Sequence, residues 1–151
     1  MPEEVAIEVF NSGLIFKKLF NGEVDEAEYF EMIKPYYQII ADNIVKQHRR
    51  VGGTFAVAYT VPLQVTREYL RKLIGPDLIF VILNLSRECQ VDRLKKRHGD
   101  SMAEEWAERP SIFQPAGPDE EGSHNITVDS GMSKEDVVRK VSELLEENKQ
   151  N

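Results

Sequence analysis

The sequence predicts an α/β domain, a three-layer αβα arrangement around a short parallel sheet. Two observations carry that expectation. Helical periodicity fills the first 50 residues, and from residue 54 onward apolar runs alternate with helix-period segments. The run Leu78 to Leu85 is almost continuously apolar, as in a strand covered on both faces of a parallel sheet. The length of 151 residues suits a single domain, with a helical segment over 1–50 and an α/β core over 54–146.

The elements follow in order. Pro2 suits the first position of a helix, and Glu3 and Glu4 complement its positive end. Val5, Val9, Phe16, Leu19 and Phe20 recur near helical spacing. Val5, Ile7 and Val9 also alternate as a strand would, but Leu14-Ile15-Phe16 and Leu19-Phe20 do not continue the alternation, so helix is the better reading. Asn21-Gly22 ends it. Asp25, with Glu28 three residues on, has the pattern of a capping box. Pro35 is expected to break or kink the second helix, with a third running to about Arg50. Lys46, His48, Arg49 and Arg50 close that helix; cations there offset the negative end of the dipole, and Gly52-Gly53 supplies a left-handed stop.

The period then changes. Thr54 to Thr60 is predicted as a strand, and Pro62 opens a helix to about Leu73. Gly75-Pro76-Asp77 is a turn before the strand Leu78 to Leu85. Ser86 caps a helix to about His98. Residues 100–124 form a looser segment with Trp106, Pro110, Pro115 and Pro118. Asn125 to Val128 reads as a short strand, and Ser133 with Asp136 opens a final amphipathic helix.

Charge narrows the partners. Lys plus Arg is 19 and Asp plus Glu is 26, a net charge of −7. An acidic chain repels nucleic acid and anionic membrane surfaces. The single cysteine, Cys89, excludes an intramolecular disulfide and a cysteine-based zinc site. No apolar run is long enough to cross a bilayer, and Met1-Pro2-Glu3-Glu4 lacks a signal-peptide pattern, so a cytoplasmic location is expected.

The common catalytic patterns are missing: no His-Glu-x-x-His, no Gly-x-Ser-x-Gly, no Cys/His cluster. His48, His98 and His124 are scattered. Cys89 sits early in a helix, where a thiol can ionise more readily, but a small buried side chain is the better reading. The most informative stretch runs from Leu85 to Asp100. Arg93 and Arg97 lie four apart on one helical face, with Lys96 beside them. Two guanidinium forks there suit a polyphosphate, although a solvated basic face is the plainer account.

The order of these segments resembles the C-terminal part of P-loop small-molecule kinases, the gluconate kinase and adenylate kinase groups in particular. The stretch Ala58-Tyr59-Thr60-Val61-Pro62-Leu63-Gln64-Val65-Thr66-Arg67-Glu68 resembles their strand and acceptor-contacting helix. Arg93-Leu94-Lys95-Lys96-Arg97-His98-Gly99 resembles their Arg-Leu-x-x-Arg helix leading into a lid. The likeness covers roughly residues 30–146. It implies a kinase-like fold in which Arg67 binds the phosphoryl acceptor, Arg93 and Arg97 bind nucleotide or phosphate, and ATP arrives with Mg²⁺. The departures are equally specific. No Gly-x-x-x-x-Gly-Lys-[Ser/Thr] loop occurs in the sequence. Gly13-Leu14-Ile15-Phe16-Lys17-Lys18 is the nearest approach, with one glycine and no hydroxyl after the lysine. Val61-Pro62-Leu63 stands where the gluconate kinase pattern places a basic residue. The implied fold thus lacks the first strand and phosphate loop, and three completions are open. Thr54–Thr60 and Leu78–Leu85 pair directly, a second chain completes the sheet, or a missing N-terminal segment of a longer protein does. The expected function is a kinase-like domain, inactive or incomplete alone. The alternative is a non-catalytic module that forms a homodimer through a sheet edge or its apolar N-terminal helices.

Overall fold

The structure is a computed structural model and describes residues 3–54, 56–57, 59, 61–101, 113–129 and 131–150, with side chains within 11–147. The chain divides into two compact units, Met1–Leu78 with Ile112–Gln114, and Ile79–Ser111 with Pro115–Asn151.

The first unit is helical. Helix α1 spans Glu3–Phe20 and α2 spans Glu26–Val51. Asp25 caps α2 reciprocally: its carboxylate accepts from the Glu28 amide at 2.7 Å, and the Glu28 carboxylate accepts from the Asp25 amide at 3.3 Å. Gly52 ends α2 with φ 73°, a left-handed turn that suits glycine. Helix α2 is one element through Pro35, where the sequence led us to expect a break. Proline there forfeits the bond to the Glu31 carbonyl and costs about 3 kcal/mol. Tyr29, Ile33, Tyr37, Ile40, Ala41 and Ile44 are buried along one face on both sides of it. Each of the larger side chains contributes roughly 1.5–3 kcal/mol by burial, so the face outweighs the proline. Pro35 itself lies on the exposed side.

Among the described residues of the expected strand Thr54–Thr60, none is in a strand. Phe55, Ala58 and Thr60 lie outside the described residues. Thr54, Ala56 and Val57 are exposed, and β-branched composition does not make a strand without a paired neighbour. Helix α3 spans Gln64–Ile74. Its N-cap, Leu63, has no capping side chain; the Gln114 amide oxygen instead accepts from the Gln64 N–H at 2.7 Å. The Gln114 N–H donates in turn to the Pro62 carbonyl at 2.7 Å.

The second unit is mixed α/β. Strand β1 spans Phe80–Leu85, α4 Arg87–His98, β2 Ser123–Val128 and α5 Lys134–Gln150. β1 and β2 pair in parallel, with Phe80 opposite Ser123 and Leu85 opposite Val128. Parallel pairing requires the chain to cross over between the strands, and α4 lies in that connection. These two parallel strands match the sequence expectation; among the described residues they are the whole sheet. Ser86 caps α4 by accepting from the Cys89 amide at 3.1 Å. Ser133 and Asp136 cap α5 reciprocally, the Asp136 carboxylate accepting from the Ser133 amide at 3.0 Å and the Ser133 hydroxyl from the Asp136 amide at 3.1 Å. Cys89, Ile126 and Val128 form the core of this unit, with Val81, Leu85, Val137, Val141 and Leu144 packed against it. Cys89 is the small buried side chain that the sequence led us to expect.

Trp106 and Pro110, in the looser segment, lie outside the described residues. Past them, the Asn125 side chain fixes the strand-proximal end of the segment. Its amide oxygen accepts from the Ala116 N–H and the Asn84 side chain, both at 2.8 Å, and its NH₂ donates to the Ala116 carbonyl at 3.1 Å.

Candidate functional site

The helical unit holds a cavity of about 440 Å³. Helix α2 brings Tyr29, Ile33, Tyr37 and Ile40 to it, because spacings of four, four and three keep one face inward. Helix α1 supplies Ser12, Gly13 and Phe16, and α3 supplies Leu70. Tyr59 and Val61, from the irregular segment before α3, complete the wall. Among the described residues, no charged side chain lines it.

Three phenols define the polarity of this space. Tyr29 and Tyr37 are hydrogen-bonded to each other, and Tyr37 also to Thr66. The Thr66 hydroxyl donates to the Leu63 carbonyl at 2.7 Å. Burial pushes the Tyr37 phenol far above its ordinary range, and Tyr29 pushes it further; the Thr66 hydrogen bond and the Arg67 charge pull it partly back. Burial likewise raises Tyr29, opposed by its bond to Tyr37, and burial alone raises Tyr59. All three stay protonated at neutral pH, so they serve as hydrogen-bonding groups and not as bases. The Tyr59 hydroxyl has no hydrogen-bond partner among the described residues.

Arg67 lies on α3 and is 2% exposed. Its Nη1 donates to the Val61 carbonyl at 3.1 Å and its Nη2 to the Gln114 carbonyl at 2.9 Å. The guanidinium therefore ties two stretches of irregular backbone to α3. Arg93 and Arg97 lie on α4 in the other unit, one turn apart and exposed. Neither has a hydrogen-bond or ion-pair partner among the described residues. Lys95, Lys96 and His98 share the same helix end. Residues 13–18 lie inside α1, so their backbone N–H groups belong to a helix ladder and do not cradle an anion. Among the described residues, no three His, Cys, Asp or Glu side chains are grouped to hold a metal ion, and no helix is long and apolar enough to cross a membrane.

The sequence reading did not single out the aromatic cavity. Its signal was present in Tyr29, Ile33, Tyr37 and Ile40, which recur at helical spacing across Pro35. Comparison of the chain with protein-family models, curated proteins and solved structures finds no match.

Proposed function

We propose that the chain is a phosphotransferase-related domain of the P-loop kinase type, which binds nucleotide weakly and transfers no phosphate by itself. The observation that supports it is the parallel pairing of β1 and β2 around a helix whose last turns carry Arg93 and Arg97, exposed and unpartnered among the described residues. Two guanidinium forks one turn apart suit the oxygens of a polyphosphate. The helical state of residues 13–18 supports the second half of the proposal. Without a cradle of N–H donors, both ground-state and transition-state phosphate charge lose their main stabilisation; one such donor alone is worth about 10²–10³ in rate. Mg²⁺ would enter with the nucleotide.

Calorimetry with Mg-ATP tests this, alongside amide chemical shifts. The expected dissociation constant is on the order of millimolar, about −4 kcal/mol, with shifts centred on Arg93 to Gly99. Arg93→Ala with Arg97→Ala is expected to remove those shifts. Micromolar binding, or ADP formation by the purified chain, overturns the weak and inactive state; shifts that ignore α4 overturn the phosphate site.

A second reading, a non-catalytic module that self-associates, rests on the sheet. Among the described residues β1 and β2 each have a strand neighbour on one side only, and Leu83 in β1 is 45% exposed. An unsatisfied strand edge is a template for a second chain. Sedimentation at micromolar concentration separates the two: a monomer mass that does not change with concentration overturns this second reading.

A further inference from the structure

We propose that the helical unit is a receptor for a small, uncharged, ring-bearing molecule carrying one hydroxyl or carbonyl group, held in the cavity between α1, α2 and α3 with its polar group on Tyr59. This inference stands on the cavity alone and uses neither nucleotide nor α4, so its failure leaves the phosphotransferase reading untouched.

Size comes first. About 440 Å³ falls within the roughly 300–1,000 Å³ typical of small-molecule sites. A cleft of that size is far larger than the gap one side-chain deletion leaves, and a ring seated in it gains contacts with three helices at once.

The lining then selects the ligand. Phe16 and the phenol rings offer flat faces and edges, which favour a ring at stacked or edge-on geometry. Ile33, Ile40 and Leu70 supply apolar contact. No described lining residue is charged, so an anionic ligand finds no compensating cation among them and loses part of its hydration on entering. Arg67 does not rescue such a ligand, because two backbone carbonyls already hold its guanidinium.

Tyr59 fixes the polar contact. The other two lining phenols are engaged with each other. The Tyr59 hydroxyl has no partner among the described residues, and burial has pushed its ionisation up. A half-buried phenol hydroxyl with no partner among the described residues gains most from a ligand group that both donates and accepts. A hydroxyl does both, and a carbonyl accepts from it.

The entry side is identifiable. Gly13 is exposed, and a Cβ placed on it meets nothing within 4 Å. Its φ is not in the left-handed region, so a side chain there leaves α1 intact. A large group at that point takes up space at the rim without disturbing the fold.

The probes are 2-naphthol, 2-methoxynaphthalene and 2-naphthyl phosphate, each titrated into the full chain and followed by calorimetry and by amide and aromatic chemical shifts. For 2-naphthol the expected dissociation constant is below about 1 mM, with shifts at Ser12, Tyr29, Tyr37, Tyr59 and Leu70. Tyr59→Phe is expected to weaken 2-naphthol about 5–10-fold. The methyl ether, which can only accept, is expected to bind less tightly than the alcohol. The phosphate is expected to bind at least about tenfold more weakly than the alcohol. Gly13→Phe, with its helix content verified by circular dichroism, is expected to abolish the shifts that any of the three produces at Ser12, Tyr29, Tyr37, Tyr59 and Leu70. The proposal is overturned by 2-naphthyl phosphate binding as tightly as the alcohol with shifts at the cavity residues and not at Arg93 to Gly99. Binding unchanged in Gly13→Phe, a Tyr59→Phe affinity equal to wild type, or no 2-naphthol shifts at millimolar concentration each overturn it too.

Discussion

Replacing Arg67 separates anchoring from substrate contact. The residue is 2% exposed, and its guanidinium donates to the carbonyls of Val61 and Gln114 at 3.1 and 2.9 Å. Hydrogen bonds from a charged donor contribute about 1.5–3 kcal/mol each, and a buried carbonyl left unpaired costs about 1–3 kcal/mol. Arg67→Met keeps most of the apolar stem and removes every donor, so packing loss is small and the bonds are isolated. The expected destabilisation is about 3–5 kcal/mol. Total stabilities of small domains run about 5–15 kcal/mol, so the helical unit is left near its limit. With a urea slope of about 1–3 kcal/mol per molar, the midpoint falls by about 2 M. Urea unfolding followed by circular dichroism, and by tyrosine resonances of α2, measures this. An arginine that served mainly to contact a substrate would show little loss in the unliganded chain. A loss below about 1 kcal/mol refutes the anchoring argument.

Three further outcomes are expected. Gly13→Ala stabilises the chain by about 0.5–1 kcal/mol in chemical denaturation, because the site is helical, its φ is not left-handed and the added methyl meets nothing within 4 Å; destabilisation would show that this backbone is not a regular helix. Gln114→Ala costs about 1 kcal/mol in the same assay, because the Gln114 side chain is the acceptor for the Gln64 amide at the otherwise uncapped start of α3; a neutral effect would count against that cap. The phenols set the alkaline limit. Tyr29, Tyr37 and Tyr59 all ionise at higher pH in the folded chain than their ordinary 10.0. The folded state thus holds its protons longer than the unfolded one, and stability is full below about pH 10 and declines above it. Tyr37→Phe flattens that decline; normal tyrosine titration by ultraviolet absorbance, with the fold intact, would refute it.

Elements set by short-range chemistry were legible in the sequence. The boxes at Asp25/Glu28 and Ser133/Asp136, the Ser86 cap and the Gly52 stop each involve residues within four positions of one another, so spacing alone reports them. The strand at 80–85 was legible because its run is almost wholly apolar and follows the turn Gly75-Pro76-Asp77, and the strand at 123–128 only through the β-branched Ile126-Thr127-Val128 at its end. Pro35 and Thr54–Thr60 misled for a common reason. Each looks decisive locally, yet the outcome is decided by what lies opposite. Pro35 is overruled by six buried positions on the other face of α2, and the β-branched run from Thr54 has no described strand to pair with.

The cavity could not be read from spacing because it is a property of three helices at once. Ser12 and Gly13 of α1 face Tyr29 and Tyr37 of α2 only after α1 and α2 have packed, and Tyr59 joins them only once its segment is pinned. The pin is a set of bonds spanning 47 to 52 residues, between Gln114 and Pro62, Gln64 and Arg67. Nothing in the local sequence of Gln114 marks it as a cap for a distant helix. Gly13, followed by Lys17 and Lys18, has the chemistry nearest to a phosphate loop in this sequence, and the structure gives the same glycine a different physical setting. In a phosphate loop a glycine lets backbone N–H groups approach an anion. Inside α1 those groups are bonded along the helix, and the missing side chain leaves room at the rim of a cavity with no charged side chain among its described lining residues. One substitution therefore distinguishes the two uses. An alanine at position 13 crowds a phosphate cradle but adds only a methyl and helix propensity to the wall of an aromatic pocket.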